Sequence, residues 1–189
     1  RRVHDLVQAA ALADVLGTTG QTNVQGEIVQ KLDVAGSDIF VDVLSNSGWV
    51  AAVVSEELED PIVSASSGDR AFITCIDPVD GSANLDVGVS VGSIFGIWRK
   101  GPGGPISETI LRPGRDQIAA AYAVYGSSTM LVTATRGSVN VFTLDTKSGE
   151  FFLTYPDLRI PEKCVYYSIN EGNFRKFDGP TQRAVTRLR

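Results

Sequence analysis

The residues Asp77-Pro78-Val79-Asp80-Gly81-Ser82 gather more potential chemistry than any other stretch of this 189-residue chain. They directly follow an apolar run, Phe72–Ile76, that reads as a buried strand. Asp77 is expected to leave the end of that strand, where Pro78 fixes the backbone into a turn. Such a turn brings Asp80 to the same side as Asp77, with the Val79 carbonyl between them. Two carboxylates and a carbonyl are hard oxygen donors suited to Mg2+ or Mn2+. Gly81 lets the backbone approach a ligand closely, and the amides after it, with the Ser82 hydroxyl, can form an anion nest. A cation site beside a phosphate site is what phosphoryl transfer requires. Asp-Pro and Asp-Gly are also ordinary turn formers, so the motif alone leaves a plain β-turn open.

A second acidic pair favours the site. Glu56-Glu57 ends the apolar run Ala51–Val54. Neighbouring strand residues point to opposite faces, so both acids can serve one site only where the strand ends and its pleat relaxes. There one can bridge cations while the other holds or activates a water; the alternative is two solvated charges at a strand end. Upstream, Glu27 sits at a loop–helix junction and Asp33 lies early in the helix that follows. Six residues apart, they do not share a face of a regular helix. Their joint participation therefore puts Glu27 in the loop. Acids near a helix N-terminus also complement its dipole without any ligand.

The elements that must position these groups are legible in outline. Val3, Leu6, Val7, Ala10, Ala11 and Leu12 recur at helical spacing, predicting a helix over residues 3–16. Residues 17–23 form a polar, glycine-bearing loop. The helical period returns from about Ile28 to Leu44, and Ser45-Asn46-Ser47-Gly48 stops it. Strands are then expected at Trp49–Val54, Phe72–Ile76, Ser90–Trp98, Gln117–Tyr125, Thr129–Thr135, Ser138–Leu144 and Phe151–Tyr155, with a tight turn at residues 145–149. Helices followed by a strand meander predict an α/β sandwich of the α+β kind, with helices packed on a mixed, largely antiparallel sheet. Residues 102–105 and 156–161 are the expected surface loops.

Composition narrows the function classes. With 43% hydrophobic residues the chain can build a real core. Lys plus Arg total 17 against 22 Asp plus Glu, a net charge of −5 that argues against nucleic acid as a partner. An anionic ligand has to be drawn by something other than bulk charge, and divalent cations are one solution. Cys75 and Cys164 are the only cysteines, without metal-ligand spacing, so small buried thiols in a reducing compartment are expected. His4 is the only histidine, which disfavours His-based catalysis and His-rich metal sites. No apolar run is long enough to span a membrane and no signal-peptide pattern opens the chain; a membrane partner is not expected. The chain starts without Met at Arg1-Arg2 and stops mid-pattern at Arg189, which predicts a fragment of a longer protein.

These motifs together resemble the class 1 fructose-1,6-bisphosphatase family, in its N-terminal portion. The resemblance is carried by Asp77–Asp86 followed by Val89–Trp98, and by residues 22–27, 31–33, 54–57, 113–115 and 125–131. Ser168-Ile169-Asn170-Glu171-Gly172 completes it. The Asp-Pro-x-Asp-Gly-Ser core is shared with inositol monophosphatase-like enzymes; its combination with Ser-Ile-Asn-Glu-Gly points to the fructose enzyme. The resemblance implies the layered sugar-phosphatase fold with its C-terminal part missing. Residues 1–160 would be the N-terminal metal-binding domain and 161–189 the beginning of a C-terminal sugar-binding domain. It implies that Glu56, Asp77, Asp80 and the Val79 carbonyl hold Mg2+, with Mn2+ or Zn2+ as substitutes, and that Glu27 joins from the loop. Asp33 and Glu57 would position and deprotonate the attacking water. Asp80, Gly81 and Ser82 would meet the 1-phosphate end of the substrate, and Asn170 the 6-phosphate. The implied partner is a small-molecule sugar bisphosphate, and the implied state a homotetramer when full length, in the cytoplasm or a plastid.

Departures from the family pattern carry their own expectations. Ala83 replaces the second serine of the usual Gly-Ser-Ser, leaving backbone contacts to phosphate intact. Ala71 and Phe72 stand where AMP-inhibited members carry Lys-Tyr, while Arg99 is retained, so weak or no AMP inhibition is expected. The cysteine-bearing insertion of light-regulated plastid members is absent between Arg99 and Gly114. Without the family's C-terminal half, poor activity is expected of the chain alone. The rival readings are a sedoheptulose-1,7-bisphosphatase or dual enzyme, and a truncated, non-catalytic homologue.

Overall fold

Short β-branched and aromatic runs separated by turn residues need strand neighbours, and helices with one apolar face need a sheet to cover. The computed structural model describes residues 1–23, 26, 28–64, 71–101, 105–163 and 166–189, so Glu27 and Cys164 lie outside it. In chain order come helix α1 (Arg2–Gln8), strands β1 (Thr18–Thr22) and β2 (Ile28–Gln30), and helix α2 (Lys31–Ser45). Strands β3 (Val50–Ser55), β4 (Ile62–Val63), β5 (Phe72–Asp80) and β6 (Val91–Arg99) follow, then a short helix α3 (Ile106–Ile110). Strands β7 (Ala119–Tyr125), β8 (Thr129–Thr135), β9 (Ser138–Asp145) and β10 (Glu150–Tyr155) complete the meander. Among the described residues β3–β10 form one eight-stranded sheet in the order β10-β9-β8-β7-β6-β5-β3-β4. Only β3 and β5 pair in parallel within it; the other pairs are antiparallel. The expected mixed, largely antiparallel sheet with packed helices is what forms.

One face of the sheet carries the core. Val3 and Val7 of α1 and Leu32 of α2 pack with Val79, Val91, Ala123 and Tyr125 of the strands. A second cluster joins Val50, Val53 and Ile76, with Phe40 of α2 edge-on to Phe95 of β6 at 5.0 Å. Each such buried side chain contributes roughly 1.5–3 kcal/mol, so the strand segments bearing the acids are anchored from beneath. His4 Nδ1 and Thr129 Oγ1, hydrogen-bonded at 2.7 Å, tie α1 to β8. Cys75 is a half-buried free thiol whose pKa burial pushes up, which makes it a poor nucleophile.

The structure corrects four local expectations. The first helix ends at Gln8 instead of residue 16. Just beyond Ala10 the apolar repeat loses its partner surface, as Leu12 at 92% exposure shows, and the chain passes through turns before Val15 returns to the core. Residues 17–23 are not a plain loop: β-branched Thr18–Thr22 pair antiparallel with Ile28–Gln30. For the same reason α2 starts at Lys31 and not at Ile28. Its start is fixed by a reciprocal cap, in which the Gln30 N–H donates to Asp33 Oδ2 at 2.7 Å. Finally, β5 does not end at Asp77 in a proline turn; it runs on to Asp80 through a register shift against β6. Pro78 is tolerated because a bulge, like a turn, dispenses with a ladder N–H.

Residues 159–189 form a separate compact unit. It holds a short 3-10 helix, Glu171–Lys176, and helix α4 (Gly179–Leu188), capped by Asp178, whose side chain accepts from the Thr181 N–H.

Close approach of α2 to the β5 bulge requires Gly36. A Cβ there would lie 2.7 Å from Val79 Cγ2, a stiff and buried methyl. Gly36→Ala gains helix propensity of up to about 1 kcal/mol but overpacks the interface by about 1–3 kcal/mol. Net destabilisation in urea unfolding is expected; a stabilised variant would show that the helix and bulge are not in contact.

Candidate active site

Three backbone features bring the acidic residues together. The first is the parallel pairing of β3 and β5, with Ser55 opposite Ile76, which places both C-terminal tips side by side. Glu56 follows the tip of β3, and its N–H donates to the Ile76 carbonyl at 3.1 Å, so it stands beside Asp77. Glu57 follows in the turn, its N–H donating to Ser55 Oγ at 3.4 Å; Ser55 Oγ is in turn hydrogen-bonded to Ser37 Oγ of α2 at 3.2 Å. The strand ends where the acids begin, as the pleat constraint requires.

The second feature is the bulge. Asp77 pairs with Ile94 and Asp80 with Gly92, so three steps along β5 match two along β6. The extra residue turns this segment so that Asp77, Val79 and Asp80 all line one cavity. Pro78 and Val79 are buried beneath it. Gly81 then takes φ +75°, the left-handed region that glycine favours, and the chain enters a 3-10 turn over Ser82–Val87. The third feature is the cap of α2, which holds the 5% exposed Asp33 at the cavity wall.

The resulting cavity, about 450 Å³, is lined by the five acids Asp33, Glu56, Glu57, Asp77 and Asp80, together with Val79, Gly81 and Ser82. Asn23, Ile28, Gln30 and Ala83 complete its described wall. No Lys, Arg or His is among these described lining residues. Burial, then the Glu56 carboxylate, then Asp80 and Glu57, push the Asp77 carboxyl up to about 7, and a hydrogen bond to Glu56 adds to the effect. A proton retained on Asp77, which is hydrogen-bonded to Glu56, relieves part of the crowding of charge. A cation would do the same. The donor set, carboxylates and a carbonyl, fits a hard divalent ion. Among the described residues no group of three or more His, Cys, Asp or Glu side chains stands close enough together to hold a metal ion as placed.

Of the residues singled out by sequence, Asp33, Glu56, Glu57, Asp77, Val79, Asp80, Gly81 and Ser82 meet in this one cavity. Glu27 lies outside the described residues. Asn170 is exposed and belongs to the unit 159–189, at the start of its 3-10 turn. Gln30 was not anticipated: its signal was the Gln-x-x-Asp spacing, a less common form of the reciprocal helix cap. Asn23 and Ile28 reach the wall through the β1–β2 hairpin, which a helical reading of residues 28–30 conceals.

A family model described as fructose-1-6-bisphosphatase, N-terminal domain, matches residues 1–156. A cytosolic fructose-1,6-bisphosphatase of Brassica napus is 46% identical over 184 residues, covering 97% of this chain and 54% of the relative. A class 1 fructose-1,6-bisphosphatase of Sorangium cellulosum (strain So ce56) is 48% identical over 180 residues, 94% of this chain and 52% of the relative. The holo crystal structure of Leishmania major fructose-1,6-bisphosphatase superposes with a TM-score of 0.89 at 36% identity, covering 99% of this chain and 60% of that one. The chain spans about half the length of the curated relatives it matches.

The raised Asp77 pKa makes the stability of the cation-free chain pH-dependent. Between the ordinary value of 3.8 and about 7 the folded state holds a proton that the unfolded chain has released. Stability from this group is therefore present at low pH and lost as pH rises through about 7. After discounting for solvent screening of a half-exposed group, the loss is on the order of 1–2 kcal/mol. Asp77→Asn is expected to unfold at higher urea than the parent at pH 8 and to show little difference at pH 4.5. Equal pH profiles for the two chains would remove the crowding of carboxylates as the cause.

Proposed function

Because the chain belongs to the fructose-1,6-bisphosphatase family, we propose that it contributes the cation and phosphate half of a divalent-metal-dependent sugar bisphosphatase. The reaction is hydrolysis of the 1-phosphate of fructose 1,6-bisphosphate to fructose 6-phosphate and inorganic phosphate. The observation that carries this reading is the single cavity lined by five acids beside a left-handed glycine and a serine. The names of the relatives favour the fructose enzyme over a sedoheptulose bisphosphatase.

On this reading Glu56, Asp77, Asp80 and the Val79 carbonyl hold the cations, Mg2+ first. An all-oxygen donor set suits Mg2+ or Mn2+ better than Zn2+, which prefers nitrogen and sulfur. Glu27 is assigned to the same set by family resemblance. The chemistry that bound cations supply is Lewis acidity toward phosphoryl oxygen and a lowered pKa for water. Asp33 and Glu57, on the wall of the same cavity, orient the attacking water and take its proton. The amides after Gly81 and the Ser82 hydroxyl receive the phosphoryl oxygens; Ala83 still offers its amide. Residues 161–189 begin the sugar-binding domain, where Asn170 meets the 6-phosphate. A cytosolic homotetramer is the assembly the same reading assigns to the full-length protein. Among the described residues no helix is long and apolar enough to cross a membrane.

Regulation by AMP follows from β5 and β6. Phe72 pairs with Arg99, whose guanidinium stacks over the Phe72 ring at 5.6 Å, and the Arg99 carbonyl accepts from Arg112 Nη2. Neither Phe72 nor Ala71 offers a hydroxyl or amine to a nucleotide. AMP is therefore expected to inhibit weakly or not at all; micromolar inhibition in a titration of the longest available chain would overturn this.

The function is tested by phosphate release from fructose 1,6-bisphosphate with Mg2+, on this chain and on a longer version carrying a C-terminal half like that of the relatives. Activity of the longer chain is expected to vanish with a chelator and to fall about 10²–10⁴-fold in Glu57→Gln. Calorimetric uptake of Mg2+ and sugar without any phosphate release would instead mark a binding subunit. No Mg2+ uptake at all would sink the metal site.

A further inference from the structure

Beneath the cavity runs a chain of buried hydroxyls that none of the roles above uses. Ser93, fully buried on β6, lies opposite the bulge, between the residues paired with Asp77 and Asp80. Its Oγ donates to the Pro78 carbonyl at 2.5 Å. Ser93 Oγ also lies 2.9 Å from the hydroxyl of Tyr125, 6% exposed on β7. A serine has one hydroxyl proton. The Pro78 carbonyl can only accept, so that proton points at it, and the second contact must be donated by Tyr125. The direction is Tyr125 to Ser93 to Pro78.

Pro78 is itself fully buried, and a buried carbonyl left without a donor is costly. Its carbonyl orientation sets the peptide plane entering Val79, and with it the direction in which Val79 and Asp80 face. Burial also pushes the Tyr125 pKa up, so the phenol keeps its proton as a donor.

We propose that Tyr125 and Ser93 are positioning residues: their two hydrogen bonds fix the Pro78 carbonyl and so hold the bulge in the shape that aims Asp77, the Val79 carbonyl and Asp80 into one cavity. The cation-affinity consequence rests on the metal-site reading above; the geometric one does not.

Two measurements separate these. Calorimetry with Mg2+ reads the first. Tyr125→Phe keeps the ring and removes one hydroxyl, and is expected to weaken Mg2+ binding about 3- to 10-fold. Ser93→Ala is expected to weaken it about 10- to 100-fold, the usual range for residues that orient metal ligands. Ser93→Thr, which retains the hydroxyl, is expected to bind within about 3-fold of the parent. Val141→Ala, a buried substitution on β9, serves as the control for destabilisation alone and is expected to leave Mg2+ affinity unchanged. The second measurement is amide hydrogen exchange at Val79, Asp80 and Gly81 in the cation-free chain, at matched global stability. Exchange there is expected to be faster in Tyr125→Phe than in Val141→Ala. If the parent binds Mg2+ and Tyr125→Phe binds it equally well with unchanged exchange, the positioning role is overturned. If the parent binds no Mg2+, the metal-site reading fails and exchange alone decides: unchanged protection overturns the inference.

Discussion

Like charges crowded at one point are the constraint that the unit Arg1–Leu158 is organised to withstand. Five carboxylate side chains line one cavity of about 450 Å³. Two ions 4 Å apart repel by about 4 kcal/mol at an effective dielectric of 20, and the described wall provides no basic side chain to offset this. Free strands would splay. They do not, because backbone hydrogen bonds, a helix cap and apolar packing hold the segments that carry the acids. Glu56 is held by its N–H on the Ile76 carbonyl, Asp33 by the cap of α2, and the bulge by the apolar floor of Val79, Val91 and Tyr125. Gly36 lets α2 come close enough to make that floor continuous.

Topology explains why the acids meet at all. In an antiparallel pair the C-terminal tips of two strands lie at opposite ends of the ladder. Among the described residues β3 and β5 are the adjacent strands that end at the same edge, which lets Glu56-Glu57 and Asp77–Asp80 face one space. Open sheets with parallel strands bind ligands beyond their carboxyl ends for the same geometric reason. The single parallel pair in a largely antiparallel sheet is therefore the irregularity on which the site depends. The bulge is the second, since a regular pleat would send adjacent side chains to opposite faces.

The residues of the site were legible in the chain because their signals are local. An apolar run followed at once by acids marks a strand tip, and both acidic clusters carried that mark. What joins the tips was not legible. Whether Pro78 begins a turn or sits in a bulge depends on the register with β6, which is a long-range choice; proline is compatible with either. Ile28 and Val29 fit a helical period as well as a strand, and their pairing with Thr18–Thr22 decided the matter. Leu12 extended an apolar repeat that no partner surface rewards. Ser93 and Tyr125 read as ordinary strand residues, since nothing in their spacing reveals that their hydroxyls meet across two strands. Capping by Gln30 stayed hidden because glutamine is an uncommon first member of the reciprocal cap.

On the proposed reading, proton and cation would compete for the same oxygens in this cavity. Burial and the neighbouring carboxylates push the Asp77 carboxyl up to about 7, so it retains its proton to higher pH than an ordinary carboxyl. A divalent cation held by these carboxylates would displace that proton and relieve their mutual repulsion. The framework therefore has to be stiff in one respect and compliant in another. It has to keep the backbone of the bulge and the strand tips in place while the side-chain charges change partners. Hydrogen bonds to backbone groups, apolar packing and close glycine contacts suit the first task because none of them titrates near neutral pH. The carboxylates suit the second because their oxygens accept a proton or a cation with little movement of the main chain. Separating the groups that hold shape from the groups that hold charge is what allows a fold of ordinary stability to carry so concentrated a charge at its surface.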